Sequence, residues 1–321
     1  MNRLLLCASL TLASCQCDPT QGTIRGNQDA GSDAGTTISD AGVIDAGPGD
    51  AGALDAGPEC VPPDVLIALD RTLTMHRTAE GLTPADTAAG RATSKWTMAI
   101  NGIEQLTAAP LDGTVRFGLE LWPRAEAGCV TLAQRIQGMN ATNAMCQGPE
   151  IVIEPGLSTG SAISALLDPE TTLICTTTPT GAALIGARNF LEAHQDGGQA
   201  QYVVLVTDGA DWDFSCPSPN PLLVVDGLAD AGIKTLVVGF SAETSLQNGV
   251  GAAFLNDLAC AGRTAKNFAV TCRTDAPTGS YRAVNPDAGG MDALFFTATN
   301  ASELAASLRT FSETVCCGCI N

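Results

Sequence analysis

Asp70, Thr72 and Thr74 occupy alternate positions in "DRTLTM", directly after the apolar run "DVLIALD" of residues 64–70. Two other segments carry similar groups. The stretch "CTTTPTGAAL" at 175–184 offers Thr178 and Thr180, and "VVLVTDGADWD" at 203–213 offers Asp208 at the end of a second apolar run. The set is two carboxylates and three or more hydroxyls, all hard oxygen donors. Such donors suit Mg²⁺, Mn²⁺ or Ca²⁺, whereas zinc or copper would want His or Cys. A carboxylate at the end of a buried strand is costly without a partner, and a cation is the partner these neighbours suggest. With so few charged ligands the ion would stay electrophilic, so a carboxylate from another protein could complete its shell. That chemistry is binding and not catalysis.

The elements that must position these groups follow from the alternation of short apolar runs with amphipathic stretches, which predicts a doubly wound, mostly parallel α/β sheet flanked by helices on both faces. Strands are expected at 64–70, 114–121, 150–153, 202–207, 234–240 and 293–297, and helices at 94–108, 180–194, 220–231, 249–261 and 301–313. The runs near 64, 202 and 234 are apolar almost throughout, as in strands covered on both faces. In such a sheet ligands bind beyond the carboxyl ends of the strands, where all three oxygen-bearing segments fall. Segments 122–149 and 263–292 contain glycine and cysteine and are read as disulfide-stapled loops.

These residues resemble the von Willebrand factor type A (VWA) domain and its metal-ion-dependent adhesion site. The family motif is Asp-x-Ser-x-Ser, then a threonine, then an aspartate. Asp70, Thr72 and Thr74 match the first part, in a "DRTLTM" similar to the "DRSGSM" of bacterial members. Thr178 matches the second, with Thr180 as the alternative register, and Asp208 in "LVTDG" matches the third. Threonine stands for both serines, keeping the oxygen while stiffening χ1, and Leu73 stands for the usual glycine. The likeness extends through "KWTMAINGIEQL" and "LADAGIKTLVVGF" and covers most of 60–321. It implies a protein partner bound through an acidic side chain at Mg²⁺ (or Mn²⁺/Ca²⁺). Thr72 and Thr74 would bind the ion directly, Thr178 directly or through water, and Asp70 and Asp208 mainly through water.

Other readings use other residues. Gly156-Leu157-Ser158-Thr159-Gly160 fits Gly-x-Ser-x-Gly, and Ser158, Asp168 and His194 follow the chain order of a hydrolase triad. Pro155 and a His194 placed on a solvent face count against it, so no enzyme activity is expected. His76 and Arg71 read as surface residues near the site, although Arg71, like Trp212, could contact a partner. Asp211 and Asp213 could add negative charge there. A third reading is a structural envelope protein with this fold and an inactive metal site.

The N-terminus bears on location. "MNRLLLCASLTLASC" has a basic start and an apolar stretch too short to span a bilayer as a helix, which predicts a cleaved signal over 1–14. Leu12-Ala13-Ser14-Cys15 resembles the lipobox of bacterial lipoproteins, implying lipid on Cys15 and, with Gln16 following, the outer membrane of the cell envelope. Residues 15–59 carry six Asp-Ala-Gly triplets at irregular spacing. Such a segment buries too little to fold and reads as a disordered tether with a reach of roughly 35–40 Å. The domain is then expected over 60–321. Thirteen cysteines in an exported chain predict disulfides. Cys7 leaves with the signal, Cys15 takes lipid and Cys17 is the odd one. Cys60, Cys129, Cys146, Cys175, Cys216, Cys260, Cys272, Cys316, Cys317 and Cys319 are then free to pair, in a connectivity the sequence does not give. The formal net charge of −18 excludes nucleic acid as a partner.

Overall fold

Seven consecutive buried residues, Asp64–Asp70, form the strand at the centre of the sheet. The computed structural model describes residues 61–141, 148–195, 198–209, 219–240, 250–287, 292–297 and 306. The chain divides into Met1–Val61 and Pro62–Asn321, and the sheet belongs to the second unit. The signal, the tether and Cys15 lie outside the described residues, as does nearly all of the helix expected over 301–313.

In chain order the strands are β1 (Asp64–Asp70), β2 (Arg116–Trp122), β3 (Glu150–Gly156), β4 (Gln201–Thr207), β5 (Lys234–Gly239), β6 (Cys272–Thr274), β7 (Tyr281–Ala283) and β8 (Phe296–Thr297). The helices are α1 (Ala88–Arg91), α2 (Lys95–Leu106), α3 (Leu132–Ile136), α4 (Gly160–Leu166), α5 (Thr180–Ala193), α6 (Pro221–Asp230), α7 (Val250–Ala261) and α8 (Phe268–Thr271). Six strands make the sheet in the order β3-β2-β1-β4-β5-β8. All its pairs are parallel except β2 with β3. Among the described residues between β2 and β3 the one helix is the short α3, and β3 returns antiparallel.

The pleat sorts the apolar residues into two layers. Val65, Ile67 and Leu69 face α2, packing with Trp96, Ile100 and Ile103. Leu66 and Ala68 face the other side, against Ala183, Leu184 and Ala187 of α5 and Val225 and Leu228 of α6. Each fully buried Val, Leu or Ile contributes about 1.5–3 kcal/mol before conformational entropy is set against it. A charge at Ile67 would enter the first of these layers with no partner and break it.

The segments read as stapled loops are stapled, by Cys129–Cys175 and Cys260–Cys272. They also hold structure that reading did not include. The first contains α3, capped by Thr131 and Gln134 in a reciprocal box. The second contains α8 and the β6–β7 ladder, whose Tyr281 ring packs 4.9 Å from Phe268 and under the Arg263 guanidinium. Both additions are too short for periodicity to reveal.

Candidate functional site

Asp70 ends β1 and Thr207 ends β4, side by side, because the β1–β4 register runs up to Leu69 opposite Val206. The Thr207 hydroxyl donates to Asp70 Oδ2 at 2.7 Å, and the Thr72 amide donates to Asp70 Oδ1 at 2.8 Å. These two bonds turn the chain away from the strand and into the 3₁₀ turn Leu73–His76, which brings Thr74 back over the strand end. Thr74 Oγ1 then donates to Asp208 Oδ1 at 3.0 Å and lies 3.2 Å from Thr72 Oγ1. A hydroxyl has one proton, and Thr74 gives its own to Asp208, so toward Thr72 it can only accept. Thr72 Oγ1 therefore keeps both lone pairs and Thr74 Oγ1 keeps one.

The structure thus brings together Asp70, Thr72, Thr74 and Asp208 at the carboxyl ends of β1 and β4. Asp70 is the buried floor of the cluster and Thr74 its exposed rim. Thr178 lies three residues beyond Cys175, whose backbone pairs with Thr72 and whose amide donates to the Arg71 carbonyl at 2.8 Å. The Cys129–Cys175 disulfide closes a separation of 46 residues, for which loop closure alone gives about 4 kcal/mol. Among the described residues no hydrogen bond joins Thr178 to the acidic pair. Its carbonyl accepts from the amide of Thr180 at 2.8 Å, and Thr180 is fully buried at the start of α5. Asp211, Trp212 and Asp213 lie outside the described residues.

Two residues join the cluster that the sequence reading did not single out. One is Thr207, the hydroxyl next to Asp208. The other is Lys95, the first residue of α2, whose Nζ donates to Asp208 Oδ2 at 2.6 Å with both side chains buried. A signal for Lys95 was present. A lysine in the first turn of a helix faces the positive end of the macrodipole, and in an otherwise apolar stretch it requires an acidic partner.

Burial, and then the charge of Asp208, push Asp70 up to about 7, against the hydrogen bonds from Thr207 and Thr72. With both carboxylates ionised and Lys95 charged, the cluster still carries one uncompensated negative charge. That excess, with the free hydroxyl lone pairs, fits a hard divalent cation in donor type and in sign.

Arg71 and His76 are not surface residues. Arg71 is buried, with Nε donating to the Pro123 carbonyl at 2.6 Å and Nη2 3.4 Å from Glu150, so it ties the first loop to the β2–β3 connection. His76 is buried with Nδ1 against the Leu73 carbonyl, and burial lowers its basicity. His76 thus closes the 3₁₀ turn on itself, whereas Arg71 packs toward the β2–β3 connection. Ser158 lies at the other end of the sheet, since Gly156 pairs with Phe117 near the start of β2. Its backbone has a φ of 60° and its amide donates to Asp112. His194 pairs instead with the Phe190 carbonyl at 2.6 Å and stacks on that ring, and Asp168 accepts from the Glu170 amide.

Residues 158–278 match the family model of the von Willebrand factor type A domain. The matched span includes Thr178 and Asp208 but begins after Asp70, Thr72, Thr74 and Lys95. No curated protein matches the sequence. Among solved structures, the chain is similar to proximal thread matrix protein 1 from the mussel byssus, at 14% identity over 80% of this chain and 48% of that one, TM-score 0.46. It is also similar to the pilus adhesin SpaC from Lactobacillus rhamnosus GG, at 14% identity over 80% of this chain and 31% of that one, TM-score 0.47. A third is the PilB minor pilin from Streptococcus sanguinis, at 14% identity over 80% and 62%, TM-score 0.46. The chain therefore spans less than two thirds of each of these three proteins. With its mostly parallel sheet, two-sided helical cover and matched segment, the chain carries a domain of the von Willebrand factor type A fold.

Proposed function

We propose that this domain binds a protein partner through a divalent cation held by Asp70, Thr72, Thr74 and Asp208, with Thr178 facing the same end of the sheet. The observation that carries the reading is the convergence of two carboxylates and two lone-pair-bearing hydroxyls from separate segments, one of them on an exposed rim. A bound Mg²⁺ or Mn²⁺ would supply a localised positive charge for an acidic side chain of the partner. The residues of the chain do the rest. Asp70 and Thr207 fix the floor, Thr72 offers a buried oxygen above it and Thr74 an exposed one at the rim. The Cys175 amide on the Arg71 carbonyl holds the second loop against the first, and the Cys129–Cys175 bridge ties it to the β2–β3 connection. The activity is binding without covalent chemistry, and affinity would come from the loops around the rim.

The lipobox-like Cys15 and the acidic tether support attachment to the cell envelope, with the outer membrane as the proposed site. Among the described residues no helix is long and apolar enough to cross a membrane. A second reading, an envelope protein whose domain works without metal, is favoured by one contact, the Lys95 ammonium on Asp208. Calorimetric titration of the full chain with Mn²⁺ tests the metal reading. One saturable site that Asp70→Ala abolishes is the expected result, and the absence of binding in a folded wild-type chain refutes it.

A further inference from the structure

Lys95 is fully buried, and its ammonium has been taken out of water at the positive end of a helix dipole. Burying such a charge is tolerated only with a close, well-bonded partner. Asp208 is that partner at 2.6 Å, through the oxygen that Thr74 leaves free. Asp208 therefore serves two sides at once. Oδ2 faces the core and the lysine, and Oδ1 faces the hydroxyl rim where a cation would enter.

We infer that Lys95 is a tethered counter-cation of this site, holding the acidic pair together without metal and lowering its affinity for a divalent ion by competing for Asp208. This rests on the metal-binding reading above and sharpens it: the divalent ion enters a site already partly neutralised, so binding is weak unless a partner carboxylate adds to it. The loop cluster also stays assembled in the absence of metal, because its central aspartate is never unpaired.

The test uses the full chain with Mn²⁺ as the probe, comparing wild type with Lys95→Met, Lys95→Gln and Lys95→Arg by calorimetry and by thermal melting in EDTA and in saturating Mn²⁺. Removing the charge is expected to tighten Mn²⁺ binding by about tenfold or more, since each tenfold step is a modest electrostatic difference. Lys95→Met and Lys95→Gln should also melt lower than wild type in EDTA and recover in Mn²⁺, whereas Lys95→Arg, which keeps the charge, should bind Mn²⁺ as wild type does. Binding by the neutral variants alone supports the inference while setting aside a metal-loaded wild type. Equal Mn²⁺ affinity in wild type and the neutral variants overturns it and leaves the metal reading standing. Failure of every form to bind overturns both. Should neither neutral variant fold, the unaltered chain decides: the buried ammonium NMR signal should move in step with Mg²⁺ saturation, and a signal that stays fixed while Mg²⁺ binds contradicts competition at Asp208.

Discussion

Two carboxyl groups lie buried in the same sheet, one strand and two residues of register apart, and they are treated in opposite ways. Asp70 ends β1 opposite Trp122, and Glu120 lies in the middle of β2 opposite Ala68. Asp70 accepts a hydroxyl and an amide and stands near a second acid that is itself held by an ammonium. Glu120 has no hydrogen-bond partner for either oxygen among the described residues, and burial alone pushes it well above the ordinary carboxylate range. The difference teaches that burial by itself only neutralises an acid. A site is made when the strand ends, so that loop hydroxyls and backbone amides can reach the carboxylate.

That contrast can be broken at several points. Asp208→Ala should have the largest effect, because it removes the carboxylate 2.6 Å from the buried Lys95 ammonium; a loss of about 3–5 kcal/mol in denaturant unfolding is expected. Replacing Cys129 and Cys175 by serine frees the second loop and should cost up to about 4 kcal/mol. The matching change at Cys260 and Cys272, which lie 12 residues apart, should cost less in the same urea melts and leave Mn²⁺ affinity unchanged.

Glu120 predicts a pH dependence of definite sign. Its folded-state value is raised above the unfolded one, so the protonated form favours folding below the unfolded value, and that advantage is lost as pH rises toward the folded value. Glu120→Gln should therefore stabilise by about 1–3 kcal/mol near pH 8 and by less near pH 5. A gain that shrinks with rising pH would show the carboxyl to be paired. The smallest effect is expected at the far end of the sheet. Ser158→Gly relieves a left-handed backbone and should add up to about 1 kcal/mol without changing partner or metal binding.

The central strands were legible because runs such as "DVLIALD" are apolar on both faces, and β1 begins and ends where that run does. The acid and hydroxyl positions were legible for the same reason, since a polar residue closing such a run has few ordinary explanations. Depth was not legible in the loops. Arg71 and His76 follow the strand among polar residues, and their burial comes from contacts of the folded chain, Arg71 against Pro123 and Glu150 and His76 against the Leu73 carbonyl. Lys95 was missed because a lysine in the first turn of a helix reads as solvated, although its place at the dipole's positive end argued for an acid nearby. Disulfide pairing and the antiparallel course of β3 depend on contacts between distant segments, to which local pattern is blind.

The central proposal is that a divalent cation binds at the cluster of Asp70, Thr72, Thr74 and Asp208. The most direct measurement is paramagnetic broadening of backbone amide NMR signals by Mn²⁺ in the full chain, beside the Asp70→Asn variant. The account predicts broadening centred on Thr72, Thr74 and Asp208 that the variant loses. Broadening confined to the Asp-Ala-Gly tether, or equal in both chains, would contradict it.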